Sequence, residues 1–118
     1  MPADVADAKT LAHLVDACRK IEIFIDGMSE SDLRGNALLE SSVCWQLVIL
    51  GEATRRVSLL LQERNPQIPW ASMRGMRNRL VHNFDRVNLA EVWRAAKVDV
   101  PGLLEQLGEI QGQMDSER

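Results

Sequence analysis

The densest group of side chains that could do acid–base or anion chemistry lies in one short segment, residues 73–86. The segment holds four arginines and one histidine against a single acidic residue, Asp85, in a chain of net charge −3. A histidine can move protons near neutral pH, and an arginine can clamp a phosphate and stabilise charge that builds on it. Together they suit RNA cleavage, in which a base takes the ribose 2′-OH proton and a guanidinium holds the charged phosphorane. The arginines are Arg74, Arg77, Arg79 and Arg86, and the histidine is His82.

The spacing within this segment decides which of these groups can act together. On a helix, Asn78 and His82 are four residues apart and share a face. Arg77 and His82 are five apart, so their directions differ by about 140° and their heights by about 7.5 Å. Because arginine is long and the helix is predicted to end near His82, both side chains can still line one groove.

The same residues also have a purely structural interpretation. Basic side chains near the end of a helix interact favourably with its dipole, and a histidine near a helix C-terminus is often only a cap. Residue chemistry alone leaves both interpretations open.

Two charged residues on the preceding predicted helix extend the candidate site. Arg55 is either solvated or a contact for RNA phosphate. Glu52 follows Gly51 in an apolar stretch, and a buried carboxylate needs a partner. Gly51 costs a helix roughly 1 kcal/mol, so we expect it to allow another helix to approach closely. The expected partners of Glu52 are Arg77, Arg74 and Arg55.

The elements that position these residues are predicted to be helices, since apolar residues recur at steps of three and four along nearly the whole chain. With 118 residues, 46% of them hydrophobic, the chain is expected to form one domain, 1–118, with a frayed polar tail over 114–118. The predicted fold is all-α, an up-and-down bundle of four main helices with short helical pieces. The predicted helices cover about 4–26 with a stop at Gly27, about 37–64, 70–82, and 89 onward, with Asn88 as cap and a kink or restart at Pro101.

The predicted core contains all five aromatic residues, and the wide apolar faces of so small a bundle favour a homodimer. Trp70 and Trp93 are interpreted as core or interface anchors rather than base-stacking platforms. His13 is predicted to lie at the surface. Cys18 and Cys44 are predicted to be reduced core residues, because their spacing matches no metal pattern. The other aromatic residues are Trp45, Phe24 and Phe84.

Several classes of protein are excluded or disfavoured. The net charge of −3 excludes a strongly basic nucleic-acid coat, although a local basic patch remains possible. No apolar run is long enough to span a bilayer, and the N-terminus lacks the pattern of a signal peptide, so we expect a cytoplasmic protein without membrane contact. No cluster of Asp, Glu and His has metal-ligand spacing, and no metal or cofactor is expected.

The ordered motifs of the chain resemble those of HEPN domains, and of the HepT-like toxins of HepT/MNT modules in particular. Residues 77–82, Arg-Asn-Arg-Leu-Val-His, fit the Arg-x4-His motif of HEPN domains. That motif alone is weak, but the resemblance extends over nearly the whole chain in the same order. The further matching segments are Gly-Glu-Ala at 51–53, Ile-Pro-Trp at 68–70, Gly-Met-Arg-Asn at 75–78 and Val-Trp at 92–93.

The resemblance implies a HEPN-like helical dimer with metal-independent endoribonuclease activity on RNA such as tRNA or mRNA. It implies that Arg77 and His82 are the catalytic pair, that Asn78 positions the substrate or the histidine, and that two copies of the motif face each other across the dimer. It also implies a toxin of a type VII toxin–antitoxin module, neutralised by a cognate MNT-type nucleotidyltransferase that attaches AMP to a tyrosine two positions after the motif histidine.

The sequence departs from the family pattern at that tyrosine, where it has Phe84, and it contains no tyrosine at all. A phenyl ring has no hydroxyl to accept an adenylyl group. The partner therefore inhibits by covering the cleft, or modifies another group, or regulation is lost. The main alternative to a nuclease is a non-catalytic HEPN dimer that binds a nucleotidyltransferase, a nucleotide or RNA through the basic groove.

Overall fold

The computed structural model describes residues 3–117, which form helices joined by short turns. The predicted all-α fold is confirmed. A 3₁₀ turn, Phe84–Arg86, follows the fifth helix, and a π turn, Ala95–Asp99, joins the last two. The helices are α1 Ala3–Ile25, α2 Glu30–Gly35, α3 Ala37–Thr54, α4 Leu59–Arg64, α5 Trp70–His82, α6 Leu89–Arg94 and α7 Val100–Ser116.

The core lies around α3, which packs against α1 on one side and α5 on another, while α7 packs against α1. The predicted stripe of α1 is buried, with Leu11, Leu14 and Ile21 fully inaccessible to solvent. Leu107 of α7 and Val43 of α3 meet this stripe as fully buried members of the same core. Burial of such side chains is worth about 1.5–3 kcal/mol each, so the long helices are held mainly by their apolar faces.

Local signals set several boundaries as predicted. Gly27 has φ +71°, a left-handed conformation that glycine adopts without steric cost and that ends α1. The side chain of Asn88 accepts a hydrogen bond from the backbone N–H of Glu91 and begins α6. Ser29 and Asp32 form a reciprocal capping box that begins the short helix α2.

The prediction of one helix over 37–64 is wrong, because α3 ends at Thr54 and α4 begins at Leu59. Ser58 is held at the start of α4 by the buried carboxylate of Asp7 in α1. The backbone N–H and the hydroxyl of Ser58 donate to that carboxylate over 2.8 and 2.6 Å. The Ser58 hydroxyl oxygen also accepts from the backbone N–H of Leu61. This partner lies far away in the sequence, so no local pattern could indicate the break.

The prediction that all five aromatic residues belong to the core is also wrong. Trp45 is 61% exposed and Phe84 75% exposed, whereas Trp70 is buried. Leu38, an apolar residue of α3, is likewise 77% exposed. The reason is that α3 is apolar on most of its circumference, while α1 and α5 cover only part of it.

His13 is exposed and Cys18 is buried, as predicted. Three other residues predicted to lie in the core, Trp93, Phe24 and Cys44, are half-buried.

Pro101 neither breaks nor sharply restarts the final helix. It lies in the first turn of α7, directly after the π turn, where the backbone is already helical and the Val100 N–H donates to the Ala95 carbonyl. The π turn before it, with its wider i→i+5 hydrogen bonding, carries α6 into α7 without a break. α7 continues to Ser116, while Arg118 lies outside the described residues. Between residues 3 and 117 no helix is long and apolar enough to cross a membrane.

Candidate functional site

α5 carries the predicted catalytic motif and has the predicted bounds, Trp70–His82. Trp70, Met73 and Leu80 bury one face of this helix, and the indole N–H of Trp70 donates to the backbone carbonyl of Asn65 over 3.0 Å. The first turn is therefore fixed to the preceding loop. The motif occupies the last turn and a half, with Arg77 at the margin of the buried face and His82 as the final residue.

The stem of Arg77 lies at the closest contact between α3 and α5. A Cβ placed on Gly51 would lie 2.3 Å from the Cβ of Arg77 and 2.5 Å from the backbone oxygen of Met73. Both distances are far below ordinary van der Waals contact. Gly51 thus allows the close helix approach that we predicted, and its missing side chain leaves the space that the Arg77 stem occupies.

The guanidinium of Arg77 is paired with Glu52, one of the three partners predicted for that carboxylate. The Nε of Arg77 lies 3.0 Å from Oε2 of Glu52, but it makes no hydrogen bond. The N–H is therefore poorly directed at the oxygen, and the attraction is mainly Coulombic. Arg77 is only 20% exposed and Glu52 44% exposed, so solvent screens the pair from the glutamate side and its net contribution to stability is small.

Asn78 connects this ion pair to a second arginine. Its Oδ1 accepts one hydrogen bond from Nη1 of Arg77 at 3.2 Å and another from Nη2 of Arg55 at 3.1 Å. Because two guanidinium donors point at one atom, that atom must be the amide oxygen, and the amide nitrogen remains a donor for another group. The contact also draws the end of Arg77 toward Asn78, which shares a helix face with His82.

His82 is exposed at the end of α5. Among residues 3–117 its imidazole has no hydrogen-bond or ion-pair partner within the chain, while Arg77 is bound to Asn78 and paired with Glu52. The helix end is closed by backbone alone, through the Asn83 N–H and the Arg79 carbonyl at 2.9 Å. The imidazole is therefore accessible to a substrate from solvent.

The four arginines predicted to bind RNA divide between two sides of α5. Arg55 joins the site, and Arg74 is half-buried and donates to Oε1 of Gln62 over 3.2 Å. Arg79 instead lies 3.6 Å from Glu91 of α6. Arg79 and Arg86 both line a separate groove of about 210 Å³ on the α6 side. Only Arg55 and Arg74 are thus on the side of Arg77.

An apolar groove beside the site was not predicted. It has a volume of about 380 Å³ and lies between α3 and the end of α5. Phe84, the residue at the family's tyrosine position, lines it together with Trp45, Val48 and Val81. The available signal was the breadth of apolar residues around α3, which exceeds what one neighbouring helix can cover.

The cysteines are poor candidates for a nucleophile. Burial, together with the smaller effect of the nearby Glu22 carboxylate, raises the pKa of the Cys18 thiol to about 12. Burial likewise raises the pKa of Cys44 to about 11, with Glu40 adding to the effect. Both stay protonated near neutral pH. In the part of the chain that the structure describes, no group of three or more His, Cys, Asp or Glu residues is arranged to hold a metal ion.

The chain matches one protein family over most of its length. The family described as Ribonuclease HepT-like matches residues 14–110. This range includes α3, α5 and the residues Glu52, Arg55, Arg77, Asn78 and His82. No solved structure matches the chain.

Curated relatives resemble the chain over most of its length. A protein of Caldanaerobacter subterraneus subsp. tengcongensis, named as a candidate RNase, is 28% identical over 85% of this chain and 89% of its own. A "Probable ribonuclease HepT" of Thermococcus cleftensis is 29% identical over 79% of this chain and 84% of its own. A candidate RNase of Methanocaldococcus jannaschii is 26% identical over 82% of this chain and 89% of its own.

Proposed function

The chain belongs to the HepT-like ribonuclease family, and we propose that it is a metal-independent endoribonuclease whose catalytic pair is Arg77 and His82. The observation that carries the proposal is the restraint of Arg77. Its stem lies at the Gly51 contact, its Nε lies beside Glu52 and its Nη1 is bound to Asn78. A guanidinium held in this way is pre-organised for an anion, and an accessible imidazole lies on the next turn of the same helix.

In the proposed reaction, a nitrogen of His82 takes the proton of a ribose 2′-OH, and the resulting oxygen attacks the adjacent phosphorus. The bond from phosphorus to the 5′ oxygen breaks, and that oxygen takes a proton from a water molecule as it leaves. The products are a 2′,3′-cyclic phosphate and a 5′-hydroxyl. Arg77 stabilises the charge on the phosphorane, and the amide nitrogen of Asn78 donates to a phosphate oxygen.

The proposal extends to control of this activity. By its resemblance to HepT/MNT modules, the chain is a toxin of a type VII module in the cytoplasm, acting as a homodimer and neutralised by a cognate MNT-type nucleotidyltransferase. Because Phe84 has no hydroxyl, we propose that the partner inhibits by binding over the cleft. Supporting this, Phe84 and Trp45 expose apolar surface beside His82.

The test is cleavage of total cellular RNA and of tRNA by the purified chain in the presence of EDTA. We expect cleavage to persist in the chelator and to fall at least about 100-fold in Arg77→Ala and in His82→Ala. The matched controls are Arg19→Ala and His13→Ala, which change exposed residues of the same types on α1.

Two results would contradict the nuclease proposal. Loss of cleavage in EDTA would mean that a metal ion does the chemistry. Absence of cleavage by the folded parent chain would favour a non-catalytic dimer that binds a nucleotidyltransferase, a nucleotide or RNA.

A further inference from the structure

We propose that Trp45 and Phe84 form a stacking subsite for one unpaired RNA base next to the cleavage site, so that the substrate is single-stranded there. The inference rests on the proposed ribonuclease function, because it assigns a place to a nucleotide of that substrate. It gives a role to two exposed aromatic rings that the proposed reaction does not use. We call Glu52, Arg55, Arg77, Asn78 and His82 the catalytic cluster.

The exposure of these rings is the first observation. The chain has five aromatic residues, and two of them, Trp45 and Phe84, are 61% and 75% exposed. Both line one groove of about 380 Å³, which falls within the roughly 300–1,000 Å³ of small-ligand pockets. Large exposed rings in a concave site commonly mark a binding surface, and any nucleobase can stack on an aromatic face.

The groove is adjacent to the catalytic cluster along both helices. α3 and α5 run in opposite directions, since Gly51 contacts Arg77 while Trp45, earlier in α3, lines the groove with the later Val81. Arg77 and Val81 are four residues apart on α5, which corresponds to a rise of about 6 Å. Phe84 follows His82 by two residues. A nucleotide whose phosphate lies at Arg77 can therefore extend its base toward the rings.

The charges around the groove favour a base over a phosphate inside it. The arginines Arg55 and Arg77 lie at the end where the catalytic cluster is. Glu40 lines the groove near the start of α3, away from that cluster. A phosphate would be attracted to the arginines and repelled by Glu40, so the uncharged part of a nucleotide is what the groove accepts.

The experiment measures binding of a short 2′-O-methyl oligoribonucleotide, which lacks the attacking hydroxyl and is not cleaved. Fluorescence anisotropy compares the parent chain with Trp45→Leu and Phe84→Leu, which keep an apolar side chain but remove the ring. We expect each leucine variant to bind roughly 5- to 150-fold more weakly. Trp45→Phe and Phe84→Tyr keep a ring and should stay close to the parent.

A second probe is the same strand with a single abasic position next to the intended cleavage site. When this abasic position is moved along the strand, the parent chain should lose affinity for RNA at one position. The leucine variants, which already bind weakly, should lose no further affinity when the base is missing there. Parental affinity in both leucine variants would overturn the subsite. A change of oligomeric state in a leucine variant, measured by sedimentation, would also overturn the subsite, because the groove would then be an interface between copies of the chain.

The outcomes separate the subsite from the nuclease. If the leucine variants bind the uncleavable strand weakly but the parent cuts no RNA, the subsite stands and the ribonuclease proposal falls. If the parent cuts RNA and both leucine variants bind and cut as it does, the nuclease stands and the subsite falls.

Discussion

Arg77 is held at three points by three different kinds of contact. Its stem fills the space beside Gly51, its Nε is attracted to Glu52, and its Nη1 donates to Asn78. Each contact alone is weak, and the pair with Glu52 is partly screened by solvent. Together they restrict a side chain that would otherwise sample many rotamers, which lowers the entropy cost of holding a phosphate.

At the residue scale, Phe84→Tyr tests what the missing hydroxyl does. The Phe84 ring is 75% exposed, so a tyrosine there would present its hydroxyl to solvent and to a partner enzyme. We expect the MNT-type transferase that we propose as the partner, supplied with ATP, to add AMP to the Phe84→Tyr variant and to reduce its cleavage of RNA. Intact-mass measurement before and after incubation detects the modification.

The parent chain is the control for this substitution, and we expect it to gain no AMP while the transferase still inhibits it. AMP on the parent chain would show that another group is modified. A Phe84→Tyr chain that stays unmodified in the presence of an active transferase would mean that the partner does not act by adenylylation here.

The Cys18 thiol allows a prediction about pH. Its pKa is raised from 9.0 to about 12 by burial and by Glu22, so folding favours the protonated thiol. This contribution to stability is fully present below pH 9 and is lost as the pH rises from about 9 to about 12. In a Cys44→Ser variant, iodoacetamide at pH 8 should modify native Cys18 far more slowly than it modifies the urea-unfolded chain. Equal rates would show that the thiol is accessible and ionised in the native protein.

At the element scale, the contact between α3 and α5 depends on Gly51. A Gly51→Ala methyl would overlap the stem of Arg77 and a backbone oxygen that cannot rotate away. We expect the helices to separate, the free energy of unfolding to fall by about 1–3 kcal/mol, and RNA cleavage to fall because Arg77 moves. Urea unfolding measures the first effect and the cleavage assay the second.

Gly108→Ala is the matched control for this substitution. Gly108 lies within α7 with open space around it, so alanine there should raise the free energy of unfolding by about 0.5–1 kcal/mol. A Gly51→Ala chain that gains the same stability as Gly108→Ala would show that the two helices do not touch at Gly51.

The helix boundaries that the sequence predicted well are those set by residues close to them in the chain. The bounds of α5 follow from the prolines before Trp70 and the break after His82, and Gly27 ends α1 within its own turn. The division between α3 and α4 follows instead from Asp7 binding Ser58 across the fold. No periodicity within residues 37–64 contains that information.

The candidate site shows the same division between local and distant information. Spacing predicted that Asn78 shares a face with His82, and chemistry predicted an arginine partner for Glu52. Two other contacts depend on how α3, α5 and α6 cross. They are the hydrogen bond from Arg55 to Asn78 and the ion pair that directs Arg79 away from the site, toward Glu91. The roles of Arg77 and His82 were indicated by family resemblance and remain a proposal.

At the scale of the whole molecule, the positions of the charged and apolar side chains matter more for RNA binding than the net charge or the total apolar surface does. The net charge of −3 opposes the approach of RNA from a distance, yet Arg55, Arg74 and Arg77 lie together on one side of α5. Attraction for a phosphate is therefore short-ranged and restricted to one surface. We expect a salt dependence of RNA binding that reflects these few contacts rather than the net charge.

The proposed dimer can be tested by mixing two inactive chains. Within one chain Arg77 is bound to Asn78 and paired with Glu52 rather than with His82. The directions of Arg77 and His82 on α5 differ by about 140°, so each can pair with the other residue on a second copy. An Arg77→Ala chain mixed with a His82→Ala chain would then regain cleavage. Since half of randomly exchanged dimers are mixed and each holds one complete pair, we expect at most about a quarter of the parental rate.

Sedimentation velocity before and after mixing gives the control for this experiment. Each inactive chain should sediment as a dimer, and exchange should be complete before cleavage is assayed. Dimers that exchange without regaining activity would mean that Arg77 and His82 act from the same chain. A parent chain that cleaves RNA as a monomer would contradict the composite cleft altogether, because all of the chemistry would then reside in one copy of α5 and the Arg55, Glu52 and Asn78 side chains around it.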